Sequence, residues 1–389
     1  MRDRGEAILA NREIVKKVEF PQFMSPELMQ EWIDRIPRFL SYDLKNPEWR
    51  PTPHRVLDLS ADGYGIISVK DESVNATGTM KDRPAWELVK LYADYAFGLF
   101  LRTSGLTEAK AKDFLATQRI PQCTLITSGN EGTAVAKAFE QYNLPPPKLV
   151  VGTTIHTTDE QKIRNLRADV YKIDLSKKIS STMMKLLTEN EHGVEITSQS
   201  PYFLPNVIFY DWLVHEVFRQ KPNDVYVPYG SGRLMENFLT WQSLTLSKGP
   251  DDRLGVHPGD ANAIQEMVAS IQRMNIFGAE PAKKDSQADK LTASFKPFLI
   301  FQDRDIRSQV TLRRTGDDTG KFKVREECVT MGYEILKKNG IQAEPSAAAG
   351  LALYLQRCDT ATKKEKDAML SRKTLIVNTG KGLDIEPTS

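Results

Sequence analysis

The sequence has few cysteines and histidines for its length, and their scarcity excludes several kinds of protein. Three cysteines and five histidines are scattered through 389 residues. Their spacing matches neither a metal-binding motif nor a set of paired disulfides, so we expect no metal site and reduced thiols. The chain also lacks an apolar run of about 18 residues, so we expect no membrane-spanning helix.

An excess of charge of one sign is also missing. The chain has 53 Lys and Arg residues against 51 Asp and Glu residues, a formal net charge of +2. Without a basic stripe interleaved with aromatic residues, we expect no nucleic-acid partner. Residues 1–17 alternate in charge and lack the apolar segment of a secretory signal, so we expect a cytoplasmic protein.

The composition is that of an ordinary globular protein, with 40% hydrophobic and 27% charged residues. Its length is sufficient for two domains. Short β-branched stretches alternate with segments of helical periodicity, which predicts an α/β fold with parallel sheets. The predicted strands include residues 55–59, 65–70, 123–127, 148–152, 169–173, 224–228 and 374–377. The predicted helices include residues 84–101, 132–142, 161–167, 234–246, 324–339 and 346–357.

A lysine at a turn is the first candidate functional residue. Residues 75–83, NATGTMKDR, place Lys81 directly after a Gly/Thr turn and before the predicted helix 84–101. An amine at such a junction can be held near a ligand, and partial burial lowers its pKa and makes it a nucleophile. Taken alone, the pattern also fits an ordinary surface lysine at a helix start.

The second candidate segment is a turn between a strand and a helix. Its residues are Thr127, Ser128, Gly129, Asn130, Glu131 and Gly132. Backbone N–H groups at a helix N-terminus bind anions, although an ordinary capped turn has the same pattern. Glu131 would repel an anion unless it points away or pairs with a cation. It could favour a substrate with a second amine, or it could face solvent.

A glycine loop follows the predicted strand 224–228 and opens a helix, which suits a phosphate group. The loop residues are Gly230, Ser231, Gly232, Arg233 and Leu234. A dinucleotide-binding motif requires a third glycine where this chain has Met235, so that interpretation is weak. On its own the segment could be a plain turn with a solvent-facing arginine.

The fourth segment, TGKG at residues 379–382, is a turn after the last predicted strand. Together the four segments resemble the fold type II enzymes that use pyridoxal 5'-phosphate (PLP), the tryptophan synthase β superfamily. The motifs are most similar to those of threonine synthase, cysteine synthase and the serine/threonine dehydratases. The resemblance covers residues 50–382, and EPSAAA at residues 344–349 is similar to a Glu-Pro-x-x-Ala segment that packs near the cofactor in this family.

The chain departs from the family pattern at several positions. The family motif around the lysine is close to NPTGSFKDR, so Ala76, Thr79 and Met80 are mild differences. Glu131 stands where threonine or histidine is usual, and Arg233 where glycine or another small residue is usual.

The resemblance implies a role for each segment. Lys81 would form a Schiff base with PLP and remove the α-proton of the substrate. The loop 127–132 would bind the substrate carboxylate, with Asn130 contacting the ring hydroxyl of PLP. The loop 230–234 would hold the PLP phosphate. Thr379 would bring a neutral hydroxyl to the pyridine nitrogen, which favours elimination or replacement over transamination.

The implied architecture is two three-layer α/β domains with PLP in the cleft between them. The smaller domain would comprise residues 60–200, and the larger one residues 1–59 together with 201–389. The implied activity is β-elimination or β-replacement on a small L-amino acid, by a lyase or transferase of amino-acid metabolism. The alternatives are threonine synthase acting on O-phosphohomoserine and a PLP-binding protein without turnover. A homodimer is usual in the family.

Overall fold

Two β-sheets flanked by helices form the fold. The computed structural model describes residues 51–89, 102, 105–117, 122–127, 129–142, 144–153, 157–174, 193–195, 210–250, 254–257, 259–283, 285–292 and 321–382. Helices alternate with strands along these ranges, as the sequence predicts.

The larger sheet has six strands. They are β1 (His54–Leu59), β2 (Gly65–Asp71), β7 (Asp224–Pro228), β8 (Asn275–Pro281), β9 (Lys321–Val324) and β10 (Thr374–Asn378). Their order is β1-β2-β10-β7-β8-β9. β1 is antiparallel to β2, and the other neighbours pair in parallel. The final strand is therefore in the middle of the sheet, where all its residues are buried.

The smaller sheet has four parallel strands. They are β3 (Gln122–Thr127), β4 (Lys148–Gly152), β5 (Asp169–Ile173) and β6 (Gly193–Glu195), in the order β5-β4-β3-β6. Parallel strands are typically covered by helices on both faces, and the buried apolar residues of β4 fit that rule.

Helices pack on these sheets and build the core. They are α1 (which includes residues 82–89), α2 (Glu108–Thr117), α3 (Asn130–Gln141), α4 (Thr157–Asn165), α5 (Asp211–Phe218), α6 (Arg233–Lys248), α7 (Ala261–Arg273), α8 (Glu326–Lys338), α9 (Ala349–Thr360) and α10 (Lys363–Leu370). α9 packs on β7, β8, β9 and β10. Gly350 allows it to approach β7 closely, because a Cβ at this position would lie 2.9 Å from the Tyr226 carbonyl oxygen.

Most predicted elements are confirmed by the structure. The seven predicted strands are all present, whereas α2, α7, α10, β6, β8 and β9 were not predicted. α10 buries no residue, so it lacks an apolar stripe, and a capping box between Thr362 and Glu365 marks its start instead. The predicted helix 84–101 begins at residue 82, and its part beyond residue 89 lies outside the described residues.

Within the described ranges, none of the helices has both the length and the apolar character needed to cross a bilayer. The same ranges contain no group of three or more side chains that could hold a metal ion.

Candidate active site

The loop before α1 is held in place by its own polar side chains. The backbone N–H and the hydroxyl of Thr77 both donate to the Asp82 carboxylate, at 2.7 and 2.8 Å. The backbone N–H of Lys81 donates to the Thr79 hydroxyl at 3.1 Å. The side-chain amide of Asn75 donates to the Thr79 carbonyl at 3.0 Å. These bonds fix the direction in which the loop enters α1.

The turn after β10 lies against this loop. The N–H of Met80 donates to the Thr379 carbonyl and the N–H of Lys381 to the Gly78 carbonyl, both at 2.9 Å. Gly380 has a φ of 136°, and a Cβ there would lie 2.4 Å from the Gly78 carbonyl oxygen. Glycine is therefore required at this contact. The first and fourth predicted segments are joined here, with Thr379 buried between them.

The side-chain amine of Lys81 has two oxygen partners. Its Nζ donates to the Glu131 carboxylate at 2.8 Å and to the Tyr210 hydroxyl at 2.9 Å, and the side chain is 20% exposed. Burial lowers the pKa of Lys81, but the negative charge of Glu131 outweighs burial and the net shift is upward. The sequence-based expectation of a lowered pKa is therefore wrong for the free protein, in which the amine is held as an ammonium.

Glu131 joins the second and third predicted segments. Its other oxygen accepts from Arg233 NH1 at 2.7 Å. The side chains are 12% and 5% exposed, so neither Glu131 nor Arg233 faces solvent. Burial raises the pKa of Glu131, but the charges of Arg233 and Lys81 outweigh burial and lower it to about 2. Glu131 is thus an ionised carboxylate between two cations.

A second ion pair lies beside Asn130. The Asn130 amide donates to Glu344 at 3.0 Å, and its oxygen accepts from Lys290 Nζ at 3.2 Å. Lys290 also pairs with Glu344 at 2.9 Å. Burial raises the pKa of Glu344, although Lys290 opposes this shift. The segment that begins at Glu344 therefore lies next to the predicted carboxylate loop.

The carboxylate loop is tied to the end of β3. The Thr127 hydroxyl accepts from the N–H groups of Gly129 and Gly132, at 3.2 and 3.0 Å. These bonds curve the chain into the start of α3. Ser128 lies outside the described residues.

The glycine loop forms a cradle at the start of α6. Gly232 is the N-cap residue with a φ of 92°, and it offers no side chain to cap the helix. A Cβ at Gly230 would lie 3.3 Å from both Leu291 Cδ2 and the Lys290 carbonyl oxygen. Ser231 is half-buried beside them, and Leu234 packs in the core. A helix N-terminus approached by bare backbone is a typical phosphate site.

A buried cluster of charges anchors α1 behind Lys81. Arg83 donates to both carboxylate oxygens of Glu72, at 2.6 and 2.8 Å, and to both of Glu216, at 2.9 and 3.0 Å. Lys70 also pairs with Glu216, and no side chain of the four is more than 7% exposed. Burial raises the pKa of Glu216, but Arg83 and Lys70 together outweigh burial and lower it to about 2. Two cations thus balance two carboxylates in the interior.

His54 at the start of β1 makes stability sensitive to mild acid. Burial, followed by the charge of Lys70, lowers the pKa of His54 from 6.5 to about 4. Its contribution to stability is therefore present above pH 6.5 and is lost as the pH falls through about 4. We expect the free energy of unfolding in urea to decrease less over this range in His54→Gln than in the wild type. The exposed His257 gives the control variant His257→Gln, and identical pH profiles for His54→Gln and wild type would contradict the prediction.

Several residues of the site carry no motif of their own. Tyr210 stands in an aromatic-rich stretch, residues 202–212, whose composition is more typical of core packing, and Lys290 stands in a polar stretch, residues 283–292. Lys70, Glu72 and Glu216 lie in ordinary elements, where nothing marks a buried charge. The only sequence signal for the cluster is the Asp82-Arg83 pair of the lysine motif.

The residues present fit PLP. Lys81 offers an amine in a largely buried position, and the glycine cradle at α6 offers a place for a phosphate. Glu131 and Arg233 connect the two over contacts of 2.8 and 2.7 Å. A lysine side chain and a phosphate cradle at one site are the two features that this cofactor requires.

The sequence matches the pyridoxal-phosphate dependent enzyme family over residues 45–380. The chain therefore belongs to this family of enzymes, and its cofactor is PLP. No curated protein matches the sequence significantly.

Solved structures share the fold across nearly the whole chain. A PLP-dependent aspartate racemase is 15% identical with a TM-score of 0.58, and the match covers 94% of this chain and 98% of the racemase. Serine racemase from Dictyostelium discoideum is 17% identical with a TM-score of 0.57, covering 93% and 100%. Diaminopropionate ammonia lyase from Escherichia coli is 16% identical with a TM-score of 0.57, covering 94% and 93%. The predicted fold type II architecture is confirmed.

Proposed function

We propose that the chain catalyses β-elimination or β-replacement on a small L-amino acid, with PLP attached covalently to Lys81. The observation that supports this most strongly is the position of the Lys81 amine. It lies where the four predicted segments meet, 2.8 Å from Glu131, which in turn contacts Arg233 beside the glycine cradle.

The residues of the chain divide the work. When bound, PLP supplies an electron sink for the α-carbon of the substrate. Lys81 Nζ takes the α-proton. The loop 127–132 binds the substrate carboxylate at the start of α3, and the loop 230–234 binds the phosphate at the start of α6. The Thr379 hydroxyl is neutral and would not enforce protonation of the pyridine nitrogen, which would favour elimination and replacement over transamination.

Tyr210 supports proton transfer at Lys81. A lysine that takes the α-proton becomes an ammonium, and the Tyr210 hydroxyl beside its Nζ stabilises that charge. The same ammonium is then placed to donate its proton to a departing group. Both steps of an elimination can therefore use one side chain.

Threonine synthase is the weaker alternative. Its substrate carries a phosphate in addition to the phosphate of PLP, and this group needs cations beyond those that hold the cofactor. Arg233 pairs with Glu131 and Lys290 with Glu344, so these two cations of the described cleft already face carboxylates. A PLP-binding protein without turnover would not need the proton-transfer groups around Lys81.

The test is the absorption spectrum of the purified protein after reconstitution with PLP. We expect a visible band that changes with one member of a panel containing serine, O-acetylserine, O-phosphoserine, diaminopropionate and O-phosphohomoserine. Reduction with borohydride followed by peptide mass mapping should place the cofactor on Lys81, with Lys290 as the other cleft lysine. A modified Lys290, or no band at all, would exclude the proposal. A band unchanged by every amino acid would favour binding without turnover.

The proposal includes a homodimer in the cytoplasm and two domains around the cleft. Light scattering after size-exclusion chromatography and cell fractionation test the first two. For the domains, β2 lies in the six-stranded sheet, which favours a first boundary after residue 71 rather than at residue 60.

A further inference from the structure

One carboxylate between two cations controls the charge of the cleft. Glu131 Oε2 accepts from Lys81 Nζ at 2.8 Å, and Oε1 accepts from Arg233 NH1 at 2.7 Å. The side chains of Glu131 and Arg233 are 12% and 5% exposed, so little water can replace either partner. The positive charge of Arg233 is therefore largely balanced by Glu131, and Arg233 attracts an anionic ligand only weakly.

When Lys81 takes part in covalent chemistry, Glu131 loses one of its two cationic partners. In the proposed reaction the amino nitrogen of the substrate would replace the Lys81 nitrogen as the group attached to PLP. The Lys81 side chain would then move away from Glu131 Oε2. A buried carboxylate oxygen that loses its charged partner is costly, and an incoming ammonium would restore the contact. Arg233 stays on Oε1, so the site available to the substrate lies at Oε2.

We propose that Glu131 selects small amino acids that carry a second, positively charged amino group on the side chain; this inference rests on the proposed function. The smallest such substrate is L-2,3-diaminopropionate, whose two nitrogens are roughly 3 to 4 Å apart, given ordinary bond lengths. With its α-nitrogen near the present position of Lys81 Nζ, the β-ammonium reaches Oε2. An anionic side chain would instead meet Glu131 before it could reach Arg233.

The same contact favours elimination of ammonia. The Cα–H bond breaks and its proton passes to Lys81 Nζ. The Cβ–N bond breaks, its electron pair leaves with ammonia, and a Cα=Cβ bond forms. Glu131 keeps the leaving nitrogen protonated until departure, because an ammonium leaves more readily than an amide anion. Addition of one water to the product then gives pyruvate and a second ammonia, which balances the reaction.

The test compares three amino acids of the same carbon skeleton and different side-chain charge. The PLP-loaded wild type, Glu131→Gln and Glu131→Asp are mixed rapidly with L-2,3-diaminopropionate, L-serine or O-phospho-L-serine. The initial amplitude of the absorbance change gives an apparent Kd for each, which reports binding and not turnover. Glu266→Gln is the control, because Glu266 is 67% exposed on α7.

We expect the wild type to bind diaminopropionate most tightly and O-phosphoserine least tightly. Glu131→Gln should weaken the binding of diaminopropionate by about 10- to 100-fold, the range for a lost hydrogen bond to a charged group. It should also tighten the binding of O-phosphoserine, because the negative charge of Glu131 no longer repels the substrate phosphate. Glu131→Asp should keep the wild-type order, and Glu266→Gln the wild-type values.

Distinct outcomes separate the two proposals. If the wild type shows a cofactor band and responds to serine but not preferentially to diaminopropionate, the selection by Glu131 is refuted and the PLP function stands. If Glu131→Gln weakens the binding of all three amino acids equally, the selection is also refuted, since a purely structural role of Glu131 predicts that result. If Glu131→Gln does not bind PLP, the selection by Glu131 is tested by the other two proteins. The measurement is then the order of affinities for the three amino acids in the wild type and in Glu131→Asp. Absence of a band in the wild type overturns both proposals.

Discussion

Replacing Lys81 with alanine should abolish the covalent attachment of PLP and lower turnover by about 10²- to 10⁴-fold, the range for a lost general acid–base group. The visible band should then revert to that of free PLP, because the lysine amine that attaches the cofactor is gone. Two measurements check this result: the absorption spectrum of the reconstituted variant and its turnover of whichever amino acid the wild type uses.

The control for this variant is Lys364→Ala on α10. Lys364 is exposed on a helix that buries no residue, so its removal should leave both spectrum and turnover unchanged. A Lys81→Ala protein that kept the wild-type band after gel filtration would show that another amine carries the cofactor. Lys290, paired with Glu344 beside Asn130, would be the first residue to examine.

Replacing Arg83 with methionine should lower the free energy of unfolding by about 3–5 kcal/mol, the cost of breaking a buried ion pair from one side. Methionine keeps much of the side-chain length but leaves Glu72 and Glu216 facing a single cation, Lys70. The interior then holds an uncompensated negative charge. Equilibrium unfolding in urea measures the loss.

The matched control is Arg164→Met. Arg164 is 49% exposed and pairs with Glu160 one turn away on α4. An exposed pair of this kind is worth only about 0.3–0.5 kcal/mol. A loss for Arg83→Met no larger than that for Arg164→Met would contradict a structural role for the buried cluster. A variant that folds but binds PLP weakly would agree with the position of Arg83 two residues after Lys81.

Local features of the site were readable in the sequence because they depend on neighbouring residues. The lysine loop is closed by bonds between Thr77 and Asp82, which are five positions apart. The glycines at 232 and 380 mark turns with positive φ, which other residues rarely adopt. Seven of the ten described strands were predictable for the same reason, since β-branched stretches indicate the burial of one short segment.

Partners far apart in the chain could not be predicted in this way. Tyr210 contacts Lys81 across 129 positions, and Asn130 contacts Glu344 across 214. Nothing in a single sequence distinguishes a glutamate that will be buried from one that faces solvent, so the direction of Glu131 stayed open. The pKa of Lys81 was predicted with the wrong sign for the same reason, because its charged neighbour was unknown.

The sequence by itself therefore determined most of the elements, the turns and the types of group that this enzyme uses, because propensity, glycine geometry and side-chain chemistry are local properties. Only the tertiary structure decided which charges meet. It placed β10 at the centre of the larger sheet, brought Glu131 between Lys81 and Arg233, and buried Arg83 between two carboxylates. Ion pairs form between surfaces that exist only after folding, and their energies depend on burial that the whole chain provides.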